Sequence, residues 1–270
     1  MLIDTHCHLS FSQFDTDLAQ VVQRAGKADV YKMINVGIDA LTSKKSVEIS
    51  ENYDNVFAAV GIHPNYADIF KLDDITEIAR LARNKRVIAI GEIGLDYHRA
   101  KNGCNPVDVK VKLLQKKLFL QLIDLEEENN LPMILHCREA YDDLSAILKN
   151  RLTPPIKAVV HCFSGNKKFL EDCLDMGMYI SFTANITYAK SGGLRDIVSY
   201  APLEKFFLET DSPLLAPQIF RGKRNEPANV EILARQIALI KGIDFSKVCS
   251  VTDKNAENFF GLGLKRREYV

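Results

Sequence analysis

Asp4-Thr5-His6-Cys7-His8 is the stretch on which the fold turns. It follows the short apolar run Leu2-Ile3, at the point where a doubly wound dinucleotide fold wants a glycine-rich phosphate turn. Two imidazoles stand there instead. Side chains at i and i+2 of a strand share a face, so His6 and His8 are expected to point the same way and Cys7 the other. Two imidazoles on one face can hold a divalent metal.

The other histidines repeat the placement. His63 follows Val56–Val60, His98 comes shortly after Val87–Ile90, His136 follows Met133–Leu135, and His161 follows Ala158–Val160. Two acids do the same: Glu92 after the fourth run and Asp211 after Phe206–Leu208. Polar residues at the ends of strands drawn from the whole chain are how a barrel assembles one site.

Strand-like runs near 2–5, 30–35, 56–60, 87–91, 132–136, 157–161, 178–182 and 205–209 alternate with amphipathic stretches near 14–27, 41–52, 73–83, 106–129, 139–150, 167–176 and 191–199. The clearest helix, 106–129, opens at Pro106 and carries Val109, Leu113, Leu114, Leu118, Leu122 and Leu125 as its apolar side. The segment from Pro227 to Phe260 reads as two further helices broken at Gly242. Alternation of this kind implies a parallel sheet. Eight units and a helical tail predict an α/β protein, a single-domain (β/α)8 TIM barrel spanning 1–270 with extra C-terminal helices.

At 270 residues the chain can bury a full core without staples. Lys+Arg and Asp+Glu balance at 35 each, which argues against a protein that grips nucleic acid over a wide surface. No apolar run approaches the ~20 residues of a membrane span. Met1-Leu2-Ile3-Asp4 lacks the basic segment and apolar stretch of a secretory leader. The six cysteines are dispersed without a CxxC pair, so a reducing, cytoplasmic setting is expected.

Gly91-Glu92-Ile93-Gly94-Leu95-Asp96-Tyr97 places a carboxylate between glycines, as expected where backbones crowd. Glu92 reads as a metal ligand whose two oxygens can bridge a pair of ions. His136 and His161, in the same position at the ends of successive strands, read as ligands too. Asp211, brought beside His6 and His8 by barrel closure, can bind a metal and take a proton from the attacking water; its alternative is a turn cap before Pro213. Glu209, with the same parity, is expected to line the barrel below it. His63 and Arg138 stand where they can contact a phosphate. The segment 221–227 is a local basic loop after strand eight, where barrels often bind phosphate. Cys7, Cys137 and Cys162, each beside a ligand candidate, are expected on the opposite face under the helices.

Together with Gly61-Ile62-His63-Pro64, His161-Cys162-Phe163-Ser164-Gly165, Glu209-Thr210-Asp211-Ser212-Pro213 and Arg224-Asn225-Glu226-Pro227, these motifs resemble the TatD family of metal-dependent deoxyribonucleases, in order and over nearly the whole chain. The resemblance implies a two-metal centre: His6, His8, Glu92 and Asp211 on one ion, and Glu92, His136 and His161 on the other. It implies hydrolysis of phosphodiester bonds in DNA, often from the 3′ end, supported by Mg, Mn or Zn. It adds Arg224 to His63 and Arg138 as substrate contacts. Asn65 stands where many members have a second histidine, and Asn255–Phe260 lacks an arginine often found there. Related barrels hydrolyse amides, lactones, phosphotriesters or aminoacyl esters on transfer RNA. Many of their two-metal members bridge through a modified lysine on strand four, the place Glu92 holds here. An aminoacyl-tRNA deacylase therefore stands as the alternative enzyme, and a barrel that binds without catalysing as the non-enzymatic one.

Overall fold

The computed structural model describes residues 1–98 and 107–262. Eight strands run β1 (Leu2–Cys7), β2 (Val30–Val36), β3 (Val56–Val60), β4 (Val87–Asp96), β5 (Met133–Arg138), β6 (Ala158–Val160), β7 (Tyr179–Phe182) and β8 (Phe206–Leu208). They pair in chain order, each parallel to the next. β1 and β8 meet at their carboxyl ends, where Asp211 N–H donates to His6 O (2.9 Å) and His8 N–H donates to Ser212 O (2.7 Å). The sheet is thus a nearly closed barrel, as the alternation predicts.

The helices are α1 (Leu18–Lys27), α2 (Ala40–Asn52), α3 (Leu72–Ala82), α4 (Val109–Asn129), α5 (Tyr141–Arg151), α6 (Lys167–Asp175), α7 (Gly192–Tyr200), α8 (Val230–Lys241) and α9 (Phe245–Phe260). Gly242 ends α8 in the left-handed region (φ 62°), the stop the sequence predicts. Pro106 lies outside the described residues. α4 buries Leu118, Phe119, Leu122, Ile123 and Leu125, whereas Val109 and Leu113 are 73% and 61% exposed. The apolar stripe assigned to α4 therefore begins about two turns too early. The buried Gln115 takes the inward position there and spends its amide on the end of β4: Nε2 donates to Asp96 O and Oε1 accepts from Asp96 N–H, both at 2.9 Å.

Parity decides what each strand offers. Ile3, Ile34, Val36, Ala59, Ala89, Ile134, Val159 and Phe207 fill the barrel interior. Their alternates pack outward against the helices. α9 closes the amino-terminal end, where Ala256, Phe260 and Leu262 join the interior cluster. Among the described residues the carboxyl end is lined by polar side chains, His6, His8, Glu92, His161 and Asp211 among them.

Strict alternation from Ile3 would turn His6 outward, because Ile3, Thr5 and Cys7 share a parity. An irregularity between Asp4 and Cys7 corrects this. Asp4 pairs with Met33 and Cys7 with Asn35, so three steps on β1 oppose two on β2. Cys7 then joins the outer core and His6 the mouth. β4 repeats the device: Ile90 pairs with Met133 and Ile93 with Leu135, which turns Glu92 inward.

Candidate metal centre

Six side chains at the strand ends converge. His6 Nε2 lies 3.2 Å from His8 Nε2. His136 Nδ1 lies 3.1 Å from His161 Nε2. Glu92 stands between these pairs. Its Oε2 is 3.5 Å from His6 Nε2 and 3.7 Å from His8 Nε2. Its Oε1 is 2.7 Å from both His136 Nδ1 and His161 Nε2. Asp211 Oδ1 completes the first pair's side, 3.2 Å from His8 Nε2 and 3.8 Å from His6 Nε2.

Two nitrogens bound to one ion at ~2.1 Å stand roughly 3.0–3.4 Å apart, which both imidazole pairs match. Donor atoms within 4.8 Å of one another form three overlapping groups: His6, His8 and Glu92; His6, His161 and Asp211; and His63, Glu92 and His136. The residues present fit divalent cations held by mixed imidazole and carboxylate donors.

Tautomers sort the histidines further. His8 Nδ1–H donates to Val36 O (2.8 Å), leaving the Nε2 lone pair to face inward. His161 turns Nδ1 toward Glu209 Oε1 (3.5 Å) and His136 turns Nε2 toward Asp96 Oδ2 (3.4 Å). A carboxylate behind each ring favours a proton there and a lone pair toward the centre. His63 is the reverse case. Its Nδ1 accepts from Asn65 N–H (3.0 Å). Burial holds its pKa down, and with Nδ1 taken by that bond its Nε2 proton lies toward Glu92 Oε1 at 3.3 Å. His63 thus presents a donor, not a lone pair.

Electrostatics agree with a cation site. Burial works to raise the Glu92 pKa, but His161, His63 and His136 outweigh it and hold the carboxyl well below its usual range. Burial is likewise outweighed at Asp211 by His8, and that pKa is lowered. Two ionised carboxylates are therefore packed among imidazoles with little access to water, an arrangement that needs positive charge.

The glycines around Glu92 serve the crowding inferred for them. Gly94 holds φ 137°, and a Cβ there would lie 2.1 Å from His136 O. A Cβ on Gly91 would lie 2.6 Å from Ile134 Cβ. Asp211 sits at φ 55°. The turn before Pro213 uses its carbonyl, which accepts from Leu214 N–H, so the carboxylate is left to face His8.

Two expectations, on Arg224 and Cys162, come out differently. Arg224 is not directed at the centre. Its guanidinium grips Asp17 through two 2.7 Å bonds, donates to Glu226 at 2.8 Å, and lies over the Phe14 ring. Arg24 forks onto Glu226 from the other side, so this cluster ties the β8–α8 connection to α1. His63 lies at the mouth as its place in the sequence predicts, with Nε2 3.3 Å from Glu92 Oε1. Cys162 is not under the helices, because β6 ends at Val160 and alternation stops; its Sγ faces Thr183 Oγ1 (3.6 Å) at the mouth. Cys7 and Cys137 do pack in the outer core. Arg138, two residues beyond His136 on the same face of β5, is exposed at the rim. Glu209 lies below Asp211 as expected, accepting from Cys162 N–H (2.7 Å) and Ser181 Oγ–H (2.6 Å).

Sequence reasoning passed over Asp96 and Asp4. Asp96 is four residues beyond Glu92, and period two already puts both on one face. Asp4 is buried and binds Thr210 twice, accepting from N–H at 2.9 Å and from Oγ1–H at 2.6 Å. It thereby fixes the residue before Asp211 against β1.

Buried imidazoles and carboxylates converging on the open end of such a barrel define a metal-dependent hydrolase. Known proteins narrow that class. The family described as TatD related DNase matches residues 3–261, and the chain belongs to it. The uncharacterized metal-dependent hydrolase YabD of Bacillus subtilis is 39% identical over 262 residues, covering 97% of this chain and all of that protein. The 3'-5' ssDNA/RNA exonuclease TatD of Pantoea ananatis is 33% identical, covering 97% of this chain and all of its own. The crystal structure of the TatD homolog YJJV from Escherichia coli superposes with a TM-score of 0.87 at 28% identity, over 96% of this chain and 98% of that one.

Proposed function

We propose that this hydrolase cleaves phosphodiester bonds of DNA from a strand end, using two divalent cations. The observation that carries the reading is the division of Glu92: one oxygen faces His6 and His8, the other faces His136 and His161. A bridging carboxylate between two imidazole pairs suits a two-metal site with Asp211 on the first ion. The chemistry such ions supply when bound is neutralisation of charge on phosphate oxygens and acidification of water.

The chain's own groups supply the rest. Asp211 is ionised, sits at the mouth and takes the proton of the attacking water. The bond from its backbone N–H to His6 O anchors the residue beside β1. His63 presents Nε2–H to a phosphate oxygen, and Arg138 offers a guanidinium at the rim. Asp96 and Glu209 hold His136 and His161 in the ligating tautomer. Support for the substrate comes from relatives, one of which is named a 3'-5' ssDNA/RNA exonuclease. Among the described residues no helix is long and apolar enough to cross a membrane, and five cysteines are free. Both facts agree with work in the cytoplasm.

Digestion of single-stranded DNA labelled at either end, with Mg, Mn or Zn, tests the proposal. The expected result is metal-dependent loss of nucleotides from one end, with elemental analysis giving about two ions per chain. An inert response to DNA beside rapid cleavage of aminoacyl-tRNA would move the chain to the deacylase alternative.

A further inference from the structure

The connection from β8 to α8 carries a basic stretch that the metal centre leaves unused. Three large apolar side chains lie open on it within seven residues: Leu214 at 48%, Ile219 at 70% and Phe220 at 36% exposed. Arg221 and Lys223 follow directly, both exposed. Gly222 between them holds φ 85° with open space around its Cβ position, and the turn it makes keeps both cations in solvent while Arg224 returns inward to Asp17.

The segment is anchored. Tyr188 O–H donates to Ala216 O, and Gln218 N–H donates to Thr187 Oγ1, both at 2.9 Å. The Arg221 guanidinium lies 4.4 Å over the Tyr188 ring, and Lys223 Nζ lies 6.0 Å over Phe220. The connection also joins the metal centre through Leu214 N–H, which donates to Asp211 O at 2.9 Å.

Aromatic and aliphatic faces interleaved with cations, beside a phosphate-cleaving centre, match the chemistry of an unpaired strand, whose bases offer π-faces and whose backbone offers spaced anions. A paired duplex hides its bases. The charge is also local, because acids and bases balance at 35 each over the chain.

We propose that this ledge binds a single strand of nucleic acid next to the scissile bond, with Arg221 and Lys223 on backbone phosphates and Phe220 and Ile219 against bases. The proposal rests on the nuclease reading for the identity of the strand.

The test is binding of a short fluorescein-labelled oligothymidylate to the full-length protein, by anisotropy across a salt series with EDTA present so that nothing is cleaved. Single-strand contacts each contribute ~0.7 to the slope of log K against log salt. Arg221→Ala with Lys223→Ala is expected to lower that slope by about 1.4 and to weaken binding at low salt, while Arg221→Lys with Lys223→Arg restores both. Lys27→Ala with Arg83→Ala removes the same charge from exposed positions at the far ends of α1 and α3 and is expected to leave the slope alone. An unchanged slope in the ledge variant, an equal loss in the control pair, an equal loss for a matching duplex, or no binding by the parent protein overturns the ledge. A parent protein that binds the oligonucleotide through the ledge yet fails to cleave it with any of the three metals removes the nuclease reading and leaves the ledge standing. Cleavage by a parent whose ledge variant keeps its slope does the reverse.

Discussion

The two oxygens of Glu92 face different imidazole pairs, while Asp211 faces only one, so the two carboxylates are expected to fail differently. Glu92→Ala removes a donor from both sides and is expected to lose activity together with at least one ion. Asp211→Asn keeps an oxygen toward His8 but loses the base. It is expected to retain most of its metal and its DNA affinity while single-turnover cleavage falls ~10²–10⁴-fold. Bound metal and single-turnover rates for both variants check this, and near-normal cleavage by Asp211→Asn would leave Asp211 a structural residue. His63 offers a third outcome. With Nδ1 occupied by Asn65 N–H, it has no lone pair to give a cation. His63→Ala is therefore expected to bind its full complement of metal and to lose rate through weaker phosphate contact. Loss of an ion on that substitution would make His63 a ligand and reverse the tautomer assigned to it.

At the scale of strands and helices, the elements were legible because apolar runs and turns punctuate them; β3 is found at the predicted residues. The inward direction of His6 and Glu92 was not legible in the same way. Period-two alternation gives the right face for His136, whose strand is regular, but reaches His6 and Glu92 only through irregular pairings that no residue type marks. The fate of Arg224 was hidden for a related reason: Asp17 lies 207 residues away from it in sequence, and only the folded chain brings the two together. Gly94 was the legible trace of the crowding around β4. Its φ of 137° and the 2.1 Å approach of a Cβ to His136 O leave no room for a side chain. Gly94→Ala is expected to cost more than ~2 kcal/mol, a fall of roughly 4–8 °C in melting temperature. Because the clash falls on β5 at His136, it should weaken metal retention as well. Thermal unfolding with and without added metal measures both, and an unchanged melting temperature would show that β4 and β5 separate freely.

For the molecule as a whole, the barrel's two ends have opposite chemistry, and its closed end carries a titration that the metal centre does not touch. α9 seals that end with Ala256 and Phe260, and its Asp253 accepts from Ile3 N–H at 3.1 Å, tying the helix to β1. Burial pushes the Asp253 carboxyl up to about 7, although the amino terminus and Lys32 pull against it. The sign follows from linkage. In the unfolded chain this carboxyl ionises near ~4, below its folded value, so the native state binds the extra proton. Below pH ~4 both states are protonated and the residue has no pH-dependent effect. Between the unfolded value and about 7 the unfolded chain ionises first and stability falls; above that the loss is complete and constant. Asp253→Asn keeps an amide oxygen for Ile3 N–H and cannot ionise. Denaturant unfolding is therefore expected to show the variant gaining stability over the parent progressively from pH 4 to pH 7, then holding a constant advantage at pH 8. Metal content should be unaffected throughout, since the residue lies at the end of the barrel remote from His6 and Glu92. A variant that instead loses stability against the parent progressively as pH rises would show that the charge of Asp253 holds α9 onto β1, and that the proton does not stay with the folded chain.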